Sequence, residues 1–344
     1  RINDNTTTVT LLTDDPYDTN PGAAGLVNGT TTFGVTLVRV STGTTLNASA
    51  AGYAGGASDP APVTYNAKDR LQVIVPGESH VNGWLANAGK TGPPAPQTAG
   101  LAFGATVYAT DAYWNTRTDD NVTSVGLTTQ DPYDAEPSAR GLVSGTTQFS
   151  LTLVTATTGW TVTASTSAGS FYSRGTSTAV PVLANSSTAL LVTLPGEIWA
   201  AGKTAAPAGI TNASVISTQT AGTPFQVVVR QVDAYNNLIT GNDFIVAMSA
   251  DDPYDATPSD QALTVGITTF NPVLVTVSTT GWRFTALGVG SGAGWVGTSR
   301  PMPVNPGPAV KFQVMLLGET TVPGSPTGKS GSPTAQTAGS QFTV

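Results

Sequence analysis

The chain has 344 residues, a net charge of −7, 10% charged residues, no Cys and a single His, His80. These figures exclude a disulfide framework, a thiolate metal site and the basic surface that a nucleic-acid partner requires. No apolar run approaches the about 18 residues of a membrane helix, so no membrane span is expected.

Gly (38) and Pro (24) are abundant, yet the apolar residues recur in short alternating runs, which reads as β-structure with many turns. Arg1 rather than Met opens the chain, so export is inferred from composition and not from a targeting signal. The first marker is Asp15-Pro16-Tyr17-Asp18, and it returns at 131–134 and 252–255, 116 and then 121 residues on. Alternating strands follow each copy: Phe33, Val35, Leu37; then Phe149, Leu151, Leu153. Proline-rich or polar junctions at 60–66, 181–187 and 301–308 each precede an apolar strand, at 71–75, 189–194 and 310–316. Pro76-Gly77-Glu78 closes the first of these strands and returns as Pro195-Gly196-Glu197 and Leu317-Gly318-Glu319. Long Gly/Pro-rich loops come next, such as 77–96 and 196–209, each keeping a Gly-Lys pair (Gly89-Lys90, Gly202-Lys203, Gly328-Lys329). Loops of this length are expected to make lateral or inter-domain contacts. Gln97-Thr98-Ala99-Gly100 recurs at 219–222 and 336–339, and Asp111-Ala112-Tyr113 matches Asp233-Ala234-Tyr235. One irregularity stands out: Gly266 to Gly281 is one residue longer than Gly145 to Gly159, with Asn271-Pro272 in between. An edge position or a bulge is expected there, because proline cannot donate to a ladder.

Markers in constant order about 118 residues apart, with room for seven or so strands, predict all-β, tandem immunoglobulin-like β-sandwich domains in an end-to-end array. Two complete domains are expected at 69–186 and 187–307. Residues 1–68 read as a partial domain lacking its first strands, and 308–344 as the first strands of a further one. Joined tail to head, the two fragments lack only the counterpart of residues 106–116. They are completed either by a longer continuous chain, the favoured expectation, or by strand exchange between copies.

The run Ala221-Gly222-Thr223-Pro224-Phe225, then 233–237, Asp252-Pro253 and Gly266 to Phe270, resembles tandem bacterial immunoglobulin-like (Big-type) repeats. The resemblance implies large surface proteins and adhesins; the Pro-Gly-Glu and Gly-Lys insertions depart from it.

His80 has Trp199 and Thr321 as counterparts, so no catalytic triad is built on it, and no enzyme is expected. Gly89-Lys90-Thr91 lacks the first glycine of a phosphate loop, because Trp84 stands there. The acidic groups Asp14, Asp15, Asp18; Asp131, Asp134 and nearby Glu136; and Asp251, Asp252, Asp255 are the calcium candidates, set against a turn-forming role. No cofactor is required. Trp84, Trp199 and Trp295 are the candidates for glycan stacking, whereas Trp160 and Trp282 read as core or strand-edge residues. Asn-x-Ser/Thr sequons start at Asn5, Asn28, Asn47, Asn121, Asn185 and Asn212. The function expected is a structural segment of an extracellular bacterial surface fibre, sheath, stalk or layer that associates with itself. The rivals are an adhesin or carbohydrate-binding module using loop tips and exposed Trp, and a spacer beside an enzyme.

Overall fold

The computed structural model describes residues 3–167, 171–211 and 215–344; the Asn212 sequon lies outside them. Alternation of Val, Leu and Phe with Thr and Ser gives a nearly all-β structure of small sheets. Short 3-10 turns occur at Ala86–Gly89 and Gly290–Gly292. The chain divides into two compact units. One comprises residues 1–97, 101–153 and 157–182; the other comprises 98–100, 154–156 and 183–344.

In the first unit, Phe103–Thr110 lies between Thr146–Leu151 and Arg70–Ile74, antiparallel to both, with Val107 opposite Thr147 and Val73. A second sheet runs in the order Arg140–Gly141, Ser124–Thr129, Val162–Thr166, Gly175–Thr176. Leu71, Val73, Val107, Phe149 and Leu151 of one sheet and Val125, Leu127, Val162 and Ala164 of the other are all buried, as their period of two requires. Each of these Val, Leu and Phe side chains withdrawn from water contributes about 1.5–3 kcal/mol. The opening strand also reaches the end of the second sheet, where Leu71 N–H donates to Ser173 O (3.0 Å) and Ser173 N–H to Asp69 O (2.8 Å). That approach requires a glycine: a Cβ on Gly175 would lie 2.3 Å from the Leu71 carbonyl oxygen.

The N-terminal piece of this unit lacks the first type of sheet and holds the second, together with a two-stranded sheet of Ser41–Thr44 and Ala61–Val63. Thr8–Thr13 sits between Gly22–Gly25 and Leu46–Ser49, with Gly56–Ala57 beyond. Residues 31–37 alternate as expected but form no strand, because nothing stands where Phe103–Thr110 stands beside Thr146–Leu151.

The second unit repeats both orders. Ser187–Thr193, Val227–Asp233 and Ile267–Phe270 form one sheet; Gln261–Ala262, Ile245–Ala250, Phe284–Val289 and Val296–Thr298 form the other. One core joins them, with Leu190, Val192, Val229 and Phe270 meeting Val246, Met248, Phe284 and Ala286. Gly297 repeats the close approach, its Cβ position lying 2.1 Å from the Leu190 carbonyl oxygen. The irregularity at Asn271-Pro272 falls as expected: the edge strand stops at Phe270, where the matching strand continues to Leu151. At the C-terminal end, Glu319–Thr321 and Lys329–Gly331 form a hairpin, while residues 310–316, expected as a strand, belong to none.

Candidate functional site: a repeat junction and an open groove

Two of the recurring markers converge on one short segment, residues 38–40. Asp15 is buried; its Oδ1 accepts from Tyr17 N–H (3.0 Å), an Asx turn, and its Oδ2 from Val38 and Arg39 N–H (2.8 and 2.9 Å). The same segment is then gripped from the following repeat. Asn115 Nδ2 donates to Val38 O (2.8 Å), and Asn115 Oδ1 accepts from Val40 N–H (2.9 Å). The carboxamide thus pairs with main chain as another peptide group would. Asp111 holds it in place: Oδ1 accepts from Tyr113 and Asn115 N–H (both 2.9 Å), and Oδ2 from Asn66 N–H (2.8 Å) and Asn115 Nδ2 (3.0 Å). Trp114, with φ +66°, turns the chain between them.

The second unit builds the clasp again, atom for atom. Asp233 accepts from Tyr235, Asn237 and Asn185 N–H and from Asn237 Nδ2. Asn237 Nδ2 donates to Val154 O (2.8 Å), and Ala156 N–H donates to Asn237 Oδ1 (2.8 Å). Asn236 takes the left-handed corner with φ +61°. All four clasp residues are 2% exposed or less, so every bond is made out of water. Sequence reading recognised Asp111 and Asp233 only as repeat markers; the asparagine four residues on was the available signal.

The long loops do make inter-repeat contacts in the first unit. Gly83 lies so near the Arg39 backbone that a Cβ would sit 2.7 Å from its Cα, and Trp84 lies over Tyr17 with ring centroids 6.3 Å apart. The Gly-Lys pairs serve a different purpose from contact. Glu78, Glu197 and Glu319 each accept the N–H of the residue three before them, at Val75, Leu194 and Leu316. Lys90 and Lys329 then bridge to Glu78 (3.4 Å) and Glu319 (2.7 Å), and Arg300 takes that place at Glu197 (2.7 Å). Lys203 instead donates to the carbonyls of Ala205 and Pro207.

Most of the calcium candidates act as hydrogen-bond acceptors. Asp252 repeats Asp15 on Tyr254, Val275 and Thr276 N–H. Asp131 accepts from Tyr133 N–H. Asp14 accepts from Thr45 N–H and Oγ1, and Asp251 from Arg283 N–H. Gln130 meets the equivalent Thr161 N–H in the middle repeat (3.3 Å), so the position needs an acceptor and not a charge. Asp18 and Asp134 accept from the hydroxyls of Thr13 and Thr129, and Asp255 donates its N–H to Asp252 O. Burial, with Glu136 and Asp131 nearby, pushes Asp134 up to about 6 against the Thr129 bond. Among the described residues no three His, Cys, Asp or Glu side chains come together as a metal group.

The three glycan candidates are half-buried against the protein. Besides Trp84 on Tyr17, Trp199 Nε1 donates to Asn236 O (3.0 Å) beneath the Arg230 guanidinium, and Trp295 lies 4.9 Å from Phe244 at the core edge. His80 stacks on Tyr108 and bonds Gln72, Asn82 and Thr116; burial lowers its pKa.

A further feature is an open groove on the N-terminal piece, lined by Val9, Leu26, Ala48, Tyr53, Ala54 and Gly56. Their counterparts Val125, Leu142, Ala164 and Tyr172 are at most 7% exposed, yet Tyr53 is 51% exposed.

No family model matches the chain, and no curated protein matches it. Among solved structures it is similar to the apo structure of Bacteroides uniformis beta-glucuronidase 3, over 67% of this chain, with 8% identity and a TM-score of 0.23. The chain spans about a quarter of that protein's length, and a likeness at this level carries no argument about activity.

Proposed function

We propose that the chain is a non-enzymatic structural segment of an extracellular bacterial surface fibre, sheath, stalk or layer, in which immunoglobulin-like β-sandwich repeats are joined end to end. The observation that carries this reading is the clasp. Asp111 with Asn115, and Asp233 with Asn237, grip the main chain of residues 38–40 and 154–156 through the same atoms. A grip built twice, fully buried and with its polar groups paired, supports an ordered succession of repeats. A flexible tether would need none of it.

Low charge supports lateral packing of such chains, since 10% charged residues leave little mutual repulsion. Electron microscopy of the native material tests the reading. Ordered filaments or sheets are expected; monomeric rods that bind glycans would replace it with the adhesin alternative.

A further inference from the structure

We propose that a basic pocket of the first unit, lined by Arg70, Gln72, Lys90, Trp114 and Arg174, binds one acidic sugar residue, a uronate, of a polysaccharide. The pocket lies where the opening strand Arg70–Ile74 passes Gly175. The proposal goes beyond the structural reading above and stands or falls apart from it.

Positive charge is scarce in this chain, yet three of its 14 Lys and Arg residues line this one pocket. Two carboxylates answer them: Asp69 takes Arg70 through Nε, and Glu78 faces Lys90. Arg174 is exposed and has no acceptor among the described residues, and neither do the two terminal nitrogens of Arg70. The Arg70 guanidinium is nonetheless held in place, over the Trp114 ring and 4.8 Å from its centroid. Lys90 gives an independent sign. It is 8% exposed, and its ammonium stands 3.4 Å from Glu78, whereas Lys329 and Arg300 close the same brace at 2.7 Å. Burial lowers its pKa, and the charge of Glu78 opposes that only in part. A buried ammonium on so long a bridge has room for a second anionic partner.

The second unit shows that the fold does not require this pocket. Leu71 matches Leu190, Asp111 matches Asp233 and Gly175 matches Gly297, while Gly89 accepts from Val81 N–H as Gly209 does from Ala200 N–H. On that frame the counterparts of Arg70, Gln72, Lys90, Trp114 and Arg174 are Ala189, Leu191, Ile210, Asn236 and Val296. Four of the five are apolar. The same backbone with cations in place of aliphatic side chains serves something other than the core of the sandwich.

Two guanidiniums and an ammonium select an oxyanion, and the planar fork of Arg suits a carboxylate. The lining adds neutral hydrogen-bonding groups: the hydroxyls of Ser173 and Thr176, and the Trp114 indole N–H, which has no acceptor among the described residues. A carboxylate carried on a ring of hydroxyls is a uronic acid. An Asp or Glu side chain of another protein would satisfy the cations and leave those neutral groups unmatched. The pocket holds about 220 Å³, less than the roughly 300–1,000 Å³ of a drug-sized site, which suits a single ring. Ser173, Arg174 and Thr176 are exposed, so the rest of a polymer can continue into solvent.

The test follows the six indole N–H signals of the full chain by NMR, with Trp114 assigned through Trp114→Phe. Sodium glucuronate is expected to move the Trp114 signal to saturation, and glucose at the same concentrations to leave it in place. Arg174→Val, which copies Val296 at an exposed position, is expected to keep the parent melting temperature and weaken the glucuronate titration about tenfold. No saturable shift would overturn the proposal, as would a titration that Arg174→Val leaves unchanged. Acetate or sulfate acting at the same midpoint as glucuronate would make this a general anion site, and a tetra-aspartate peptide binding more tightly would make it a protein contact; either overturns the sugar assignment. Ordered filaments with no glucuronate shift would sink this site and leave the array reading intact, whereas monomeric rods that take glucuronate would do the reverse.

Discussion

Asp134 and Gln231 are two residues that the fold holds at a cost. Burial first, then the charges of Glu136 and Asp131, raise the folded pKa of Asp134 to about 6, above its value in the unfolded chain. A raised carboxyl contributes stability below its unfolded pKa and loses it as pH rises through the folded one. Asp134→Asn is therefore expected to raise the melting temperature at pH 7.5 and to change it little at pH 4, in paired thermal melts. Because the group is only half-buried, the gain at pH 7.5 is expected to be only about 1 kcal/mol. Gln231 is fully buried, and neither amide atom has a partner among the described residues; its counterpart in the preceding repeat is Ala109. An unpaired buried amide costs about 1–3 kcal/mol, so the near-isosteric Gln231→Met is expected to raise the denaturant midpoint. The acidic turns give a third outcome at this scale. With the carboxylates of Asp15 and Asp252 spent on backbone N–H groups, melts in EDTA and in millimolar calcium are expected to superimpose, and a calcium-dependent shift would favour the metal reading.

At the scale of the element, the opening strand depends on one glycine per repeat. Gly175→Ala is expected to lower the melting temperature by several degrees, because the new methyl meets the Leu71 carbonyl. Gly56→Ala, facing open space, is expected to leave the melting temperature of the dilute chain unchanged. The strands were legible in the sequence because a period of two survives in Val227 and Val229 and in Phe149, Leu151 and Leu153, all of them buried. The segment 310–316 alternates too, and it forms no strand: alternation states which face is apolar, and only a neighbour makes a ladder. The Gly-Lys pairs were visible as a pattern but not in their purpose. The partner of Glu197 is Arg300, more than a hundred residues away, and no local spacing announces that exchange.

The whole molecule raises the question of how repeats report on one another. Replacing Asn115 by Leu keeps the volume and leaves the Val38 carbonyl and Val40 N–H facing an apolar group, at a cost of about 1–3 kcal/mol for each unpaired peptide group. Calorimetry is expected to show the N-terminal piece melting earlier as a separate step while the main transition moves little. A single shifted transition would mean that Asn115 serves only its own repeat. This joint lay beyond sequence reading for a plain reason: Asn115 and Val38 are 77 residues apart, and the bonds run from a side chain to main chain. What the sequence did display was the repetition of the parts, in Asp15, Asp111 and their copies.

The clasp has a consequence for how such a chain changes over generations. It grips Val38-Arg39-Val40 in one place and Val154-Thr155-Ala156 in another, and all its bonds to those segments go to the backbone. Since it places no demand on the side chains it meets, neighbouring repeats need not coevolve. Over generations the side chains at 38–40 and 154–156 are free to change while the four backbone bonds of the two clasps stay in place.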